Sequence, residues 1–272
     1  MTNERKTGPV FDRPPVIETV LGVQFAPLKG LTTAHVGWFW KQYLGDEWEK
    51  IAETVPLPDQ FERFEPTLSV PAIGFKLEPI RFPARLQISW ANDGRMIQIQ
   101  PTRFHYNWNR VGGEYPEYDN VRKEFDRYFE MFCRFIADAK FGQFVPNQWE
   151  LTYIDSISQG PLWSTPADWR DVVPGLFSSQ GSPGSVQFES FGGEWHYEIR
   201  PQRGRLHISV QLARVGDDPT PVLLMQTTGR GPIAKEGAAS LAEGLELGHR
   251  AAVDTFVNIT SEKAHKAWGR KS

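Results

Sequence analysis

Apolar and polar side chains alternate with a period of two in several short runs of this chain, the pattern of strands that bury one face. Residues 84 to 90 read Ala-Arg-Leu-Gln-Ile-Ser-Trp and residues 204 to 210 read Gly-Arg-Leu-His-Ile-Ser-Val. Weaker echoes keep the same order around them. Phe61-Glu62-Arg63-Phe64 precedes the first as Phe188-Glu189-Ser190-Phe191 precedes the second, and Met96 to Thr102 follows the first as Leu223 to Thr228 follows the second. Repeated order over this span predicts an internal duplication.

The same pattern predicts a strand over 16 to 25, with Ile17, Thr19, Leu21, Val23 and Phe25 on one face and Glu18 and Gln24 on the other. Thr32 or Thr33 then caps a helix carrying Val36, Trp40, Tyr43 and Leu44 at helical spacing. The proline-rich stretch from 56 to 83 predicts a looping connection with one short edge strand near 61 to 70. Strands at 85–90, 96–100 and 103–108 follow, the first two joined by Asn92-Asp93-Gly94, a tight hairpin signal. A long helix begins near 116 to 119 and buries Val121, Phe125, Tyr128, Phe132, Phe135, Ile136 and Ala139. Six phenylalanines between 125 and 144 mark it as the spine of the core rather than a cofactor box.

The second half restarts with a strand at 148–157, where Glu150 repeats Glu18. Thr165-Pro166-Ala167-Asp168 starts a helix that Pro174 keeps short. Strands at 186–191, 194–200, 205–213 and 222–228 lead to a last helix from about 232 to 261. Its ridge Gly244, Gly248, Ala252 costs helix propensity and predicts close packing, large side chains into small, against the phenylalanine-rich helix.

Each half thus reads strand, helix, three or four antiparallel strands, long helix. The fold class is α+β: internally duplicated β-α-β(3-4)-α units forming one large curved antiparallel sheet with two long helices on one face. Residues 1–13 are read as a flexible tail, 14–142 and 143–272 as two pseudo-repeats of one structural domain. The order resembles the TATA-box-binding-protein-like arrangement, a likeness of topology that does not fix function.

The opening Arg13-Pro14-Pro15-Val16-Ile17-Glu18, continued by Val20-Leu21-Gly22-Val23-Gln24-Phe25, resembles the start of a sporadically distributed, functionally uncharacterised bacterial protein family. The ending, Phe256 to Ile259 with Thr260, His265 and Trp268, is similar to that family's close. The resemblance implies a bacterial, cytosolic protein in an accessory role such as defence or toxin neutralisation, and carries over no catalytic residue.

Charge and composition narrow the chemistry. A formal net charge of -3 and a pI near 6.1 supply no basic field for nonspecific nucleic-acid or membrane binding. The single cysteine, Cys133, excludes an intramolecular disulfide and a cysteine-rich zinc site, and fits a cytoplasmic location. No run reaches membrane-spanning length. Nucleophile elbow, Walker loop, dinucleotide fingerprint and HExxH pair are all missing, so no cofactor is expected and an enzyme is the less favoured class. The six histidines are scattered over different elements, which gives no metal site by spacing.

What remains is the polar face of the sheet. With Leu86, Ile88, Leu206 and Ile208 under the helices, the opposite face carries Arg85, Gln87, Ser89, Gln98, Gln100, Arg103, His105, Arg205, His207, Ser209, His196 and Arg200. An ordinary solvated face is the plain reading. The sharper one is a binding surface for a protein or a small polar ligand, with Trp163, Trp169 and Trp195 as exposed anchors. Two alternatives stay open. Arginines on one face allow a nucleic-acid saddle, and Glu18 with Glu150 allows a paired-carboxylate enzyme site between the halves, unless they are solvated or bridged to Arg85 and Arg205.

Overall fold

Strands form where β-branched and aromatic residues alternate with polar ones, and in the computed structural model nine of them join into one sheet. The structure describes residues 9–64, 84–90, 92–176, 190, 192–199, 201–216, 218–233 and 238–271, without the side chains of 238 and 239. The elements in chain order are β1 (Val10–Phe11), β2 (Val16–Phe25), α1 (Thr33–Tyr43), β3 (Lys50–Thr54), β4 (Arg85–Ser89), β5 (Arg95–Gln100), β6 (Arg103–Asn109), α2 (Tyr118–Asp138) and β7 (Pro146–Ser158). Two 3-10 turns, Pro166–Asp171 and Pro174–Leu176, precede β8 (Gly193–Ile199), β9 (Gly204–Ala213), β10 (Val222–Pro232), α3 (Ala238–Ile259), α4 (Glu262–Ala267) and β11 (Arg270–Lys271).

Nine strands pair antiparallel in the order β3-β4-β5-β6-β2-β7-β10-β9-β8. The fold is therefore α+β, built on a single large antiparallel sheet. Directly paired residues point to the same side, so the register sorts the two faces. Leu21, Tyr106, Ile97, Ile88, Leu151 and Leu206 fall on one face, and all six are buried. Both long helices cover that face: α2 lies on β6 and β2, and α3 on β10, β7 and β9.

The α2 stripe is the one expected from its spacing, with Val121, Phe125, Tyr128, Phe132, Phe135 and Ile136 buried. Phe104 of β6 stacks on Phe132 at 5.0 Å between ring centres, and Phe39 of α1 meets the same ring edge-on at 5.7 Å. Such pairs add to area burial, which already makes large aromatic side chains the main stabilising content of a core.

The glycine ridge of α3 does close pack, but against the sheet rather than against α2. A Cβ at Gly248 would lie 2.6 Å from Cζ3 of Trp149, and one at Gly244 would overlap the same indole. Gly204, Gly229 and Gly231 surround that ring from β9 and β10, so Trp149 on β7 occupies a cage of five glycines. The two long helices touch elsewhere, where Tyr118 stacks on His249 with ring centres 3.8 Å apart.

Three other expectations change. Val10 and Phe11, read as part of a flexible tail, pair with Lys271 and Arg270, and Phe11 packs on Phe256, His265 and Trp268. Trp163 and Trp169 are buried against each other in the core and Trp195 is half-buried against it, so none of the three is an exposed anchor. The echoing strands, finally, do not hold equivalent places. β4 stands third from the central β2/β7 pair and β9 second, because the Arg-x-Leu-x-Ile-Ser pattern answers a shared demand for one buried face, not a shared position. The expected edge strand near 61–70 and strand at 186–191 fall largely outside the described residues; Phe61 to Phe64 are in no regular element.

Candidate functional site

The face away from the helices carries the polar half of each alternating strand. Along it, Gly22, His105, Gln98 and Gln87 form one row across β2, β6, β5 and β4, and Glu150, Arg230, Arg205 and Glu198 continue that row across β7, β10, β9 and β8. This face is not open. Residues 55 to 64 run across it, roughly at right angles to the strands, as a strap held at successive strands. Gln100 binds both backbone groups of Leu57, Arg103 Nη2 donates to the Pro58 carbonyl at 2.7 Å, the Gln60 N–H donates to Gln24, and the Glu62 N–H donates to Gln148. The strap turns an expected flat platform into a walled one, and Gln24, Gln100, Arg103 and Gln148 are buried beneath it.

Beside the strap lies a cavity of about 330 Å³, within the size range of small-ligand sites. Of the residues expected from the sequence, Glu18, Arg85, Gln98, Arg103, His105 and Glu150 line it. Asn107, Thr152, Gln226, Thr228 and Arg230 complete the floor, and Leu57, Pro58 and Gln60 form the strap wall. Gln87 and Gln100 support the floor without lining the cavity. Arg205 and His207 meet the far end of the strap at Glu62 instead of lining the cavity, and His196 reaches His207 at 2.8 Å between Nδ1 atoms. Arg200 lies outside the described residues.

One half of the floor is a relay of amides. Gln87 Nε2 donates to Gln98 at 3.1 Å, Gln98 Nε2 donates to Asn107 at 2.8 Å, and Asn107 Nδ2 donates to Glu18 Oε1 at 2.5 Å. Three strands thus point their donors in one direction, ending on a carboxylate of the fourth. Burial nevertheless pushes the Glu18 carboxyl above its ordinary range, the Asn107 hydrogen bond only partly opposing it.

The other half is an ion-pair network. Arg103 Nη1 and Arg230 Nε donate to Glu150 Oε2 at 3.2 and 3.1 Å. Arg230 Nη1 also reaches Glu62 Oε1 at 3.2 Å, while Arg205 Nη1 and His207 Nε2 each contact Glu62 at 2.8 Å. Burial alone would raise both carboxyls, but His207, Arg230 and Arg205 hold Glu62 below the usual carboxylate range, and His105, Arg103 and Arg230 do the same for Glu150. The sequence allows Glu18 and Glu150 to be bridged to Arg85 and Arg205; the register instead gives Glu150 to Arg103 and Arg230, Glu18 to Asn107, and Arg205 to Glu62.

His105 joins the two halves. A Cβ at Gly22 would overlap Cδ2 of the His105 ring, so the glycine lets that ring lie across β2 and bring Nε2 to 3.8 Å from Glu150 Oε1. Burial, reinforced by the charges of Arg103, Arg85 and Arg230, pushes the imidazole down to about 4 and keeps it neutral near pH 7. Glu18 and Glu150 share the cavity on neighbouring strands, but Glu18 is level with Ile154, four residues along β7 from Glu150. Their Cα atoms are therefore roughly 14 Å apart, too far for a shared proton.

The strap, Arg230 and Thr152 were not singled out from sequence. Arg230 follows Gly229, which weakens the strand pattern; Thr152 could have been found by extending the alternation of Glu150 by two. Among the described residues, no group of three or more His, Cys, Asp or Glu side chains is placed to hold a metal ion, and no helix is long and apolar enough to cross a membrane.

No family model and no curated protein matches the chain. Among solved structures, the crystal structure of DynU16, described as a protein in the dynemicin biosynthetic locus, is similar at 12% identity over 93% of this chain and 98% of that one, with a TM-score of 0.25. A likeness that low transfers neither fold nor activity.

Proposed function

We propose that the protein is a non-enzymatic binding protein that takes a small polar ligand in the strap-walled cavity on the polar face of its sheet. The observation that carries this reading is convergence. Side chains from β2, β4, β5, β6, β7 and β10 meet at one 330 Å³ space, and most of their polar atoms are already fixed by neighbours. A preorganised polar wall lowers the ordering cost of binding. The same proposal includes a bacterial accessory role in the cytoplasm. It also includes the internal duplication, which the order β4-β5-β6-β2 facing β8-β9-β10-β7 supports with β4 matched to β8 rather than to its echo β9.

An enzyme remains the second reading because Glu18 and Glu150 line one cavity with carboxyls displaced in opposite directions, a pattern used for acid and base pairs. A nucleic-acid saddle is less well supported. Arg103, Arg205 and Arg230 already donate to carboxylates, and the strap crosses the face a duplex would need.

The test is a thermal-shift screen of a polar metabolite library on the wild type and on Gln226→Trp. Gln226 is exposed and lines the cavity, so tryptophan there should fill the space without disturbing the core. Compounds that stabilise the wild type should lose that effect in the variant, while the ligand-free melting temperature stays within about 2 °C, as for a surface change. Equal ligand-induced shifts in both proteins would place binding elsewhere.

A further inference from the structure

Resting on the cavity reading above, the structure assigns the ligand to a chemical class: a small anion, carboxylate or phosphate, anchored by the Arg85 guanidinium beside Arg103. Three guanidiniums line the cavity, Arg85, Arg103 and Arg230, against two carboxyls, Glu18 and Glu150. Arg103 and Arg230 both spend a hydrogen bond on Glu150, and Arg230 also reaches Glu62 of the strap. Arg85 has no carboxylate within ion-pair distance among the described residues; its Nε donates to Thr54 Oγ1 at 2.9 Å.

The positions of the three groups make the excess local. Arg85 pairs with Thr54 across β3, and on its other side it is level with Gln100 of β5 and Arg103 of β6. Two strand spacings put the Arg85 and Arg103 backbones about 10 Å apart, a distance that two long side chains on one face can close around a single anion. Gln100, which stands between them, is held to the Leu57 backbone under the strap and does not line the cavity, whereas both arginines do.

Electrostatics agree with this placement. Arg85, Arg103 and Arg230 each act to destabilise a proton on His105, with Glu150 opposing them. Burial already costs the Arg85 cation part of its hydration. A partly desolvated guanidinium recovers most from a planar or tetrahedral oxyanion, which it can hold with two parallel N–H donors. Glu18 sits at the far end. It is six residues along the strand direction from the row of Arg85 and Gln24, or roughly 20 Å by the strand rise, so it does not neutralise the arginine end.

Isothermal titration calorimetry at low ionic strength tests the assignment with four probes: inorganic phosphate, glutarate, glycerol and 1,4-diaminobutane. Phosphate or glutarate should bind the wild type, and Arg85→Gln should weaken that binding about tenfold or more, the loss expected for a charged hydrogen-bonding partner. Arg85→Lys, which keeps the charge but not the fork, should fall between the two, so that a folding defect in one variant does not decide the result. An Arg85→Gln protein that binds either anion as tightly as the wild type overturns the inference. So does binding of glycerol or 1,4-diaminobutane with both anions silent, an outcome that leaves the cavity standing as a ligand site. Silence of all four probes removes the cavity reading and the anion assignment together.

Discussion

Period-two alternation exposes single residues to prediction when both neighbours on a strand are ordinary. Gln98, Arg103 and His105 reach the cavity because they alternate with Ile97, Ile99, Phe104 and Tyr106, which the helices bury. What alternation does not give is the partner of each charge. Glu150 finds Arg103 and Arg230 through the pairing of β7 with β10 and of β2 with both β6 and β7, a long-range property of the sheet. Asp155 is a second case. It falls on the buried face of β7, where burial raises its carboxyl to about 7 against the opposing charge of Arg110. The fold therefore prefers its protonated form. That contribution is complete below the ordinary aspartate value of about 3.9 and fades as pH rises to about 7. His249 and His105, both held near 4 by burial, act in the opposite sense, since the stability they contribute is complete above about 6.5 and is lost as pH falls to about 4. Asp155→Asn should consequently gain stability over the wild type at pH 8 and lose that advantage near pH 4, as read by urea denaturation at the two pH values. Parallel pH profiles would show that Asp155 is not held protonated by the fold.

Elements with a strong periodic signal, above all α2 with its phenylalanine stripe, were foreseen within a few residues of their bounds. The strap was not, because residues 55 to 64 have no regular hydrogen-bond pattern and carry Pro56 and Pro58; their structure is set by the side chains they meet. The glycine ridge of α3 was recognised as a close contact but given the wrong partner. Trp149 is the large side chain that fills it, since an indole on β7 faces α3 across the paired glycines of β10. Gly248→Leu should overpack that cage and cost about 1–3 kcal/mol or more, seen as a lower midpoint in denaturant melts. The same change on a solvated helix position would be neutral or mildly stabilising through helix propensity, so an unchanged midpoint would remove the cage. The residues behind the terminal resemblance also have a structural role. Thr260 and His265 hydrogen-bond at 2.8 Å, and Phe256 stacks on Trp268, closing the end of the chain over Phe11.

At the scale of the whole molecule, the sheet divides the work between its faces: one holds the aromatic core under two helices, the other holds a polar cavity. His105 reports on that cavity from its floor, while His35 at the start of α1 and His265 in α4 lie on other parts of the fold. The most direct test is a nitrogen-15 NMR titration of the imidazole resonances with a compound that stabilises the protein. Binding in the cavity predicts that the His105 ring nitrogens shift with saturation while those of His35 and His265 stay in place. A saturating shift at His35 or His265 with His105 unmoved would contradict the account.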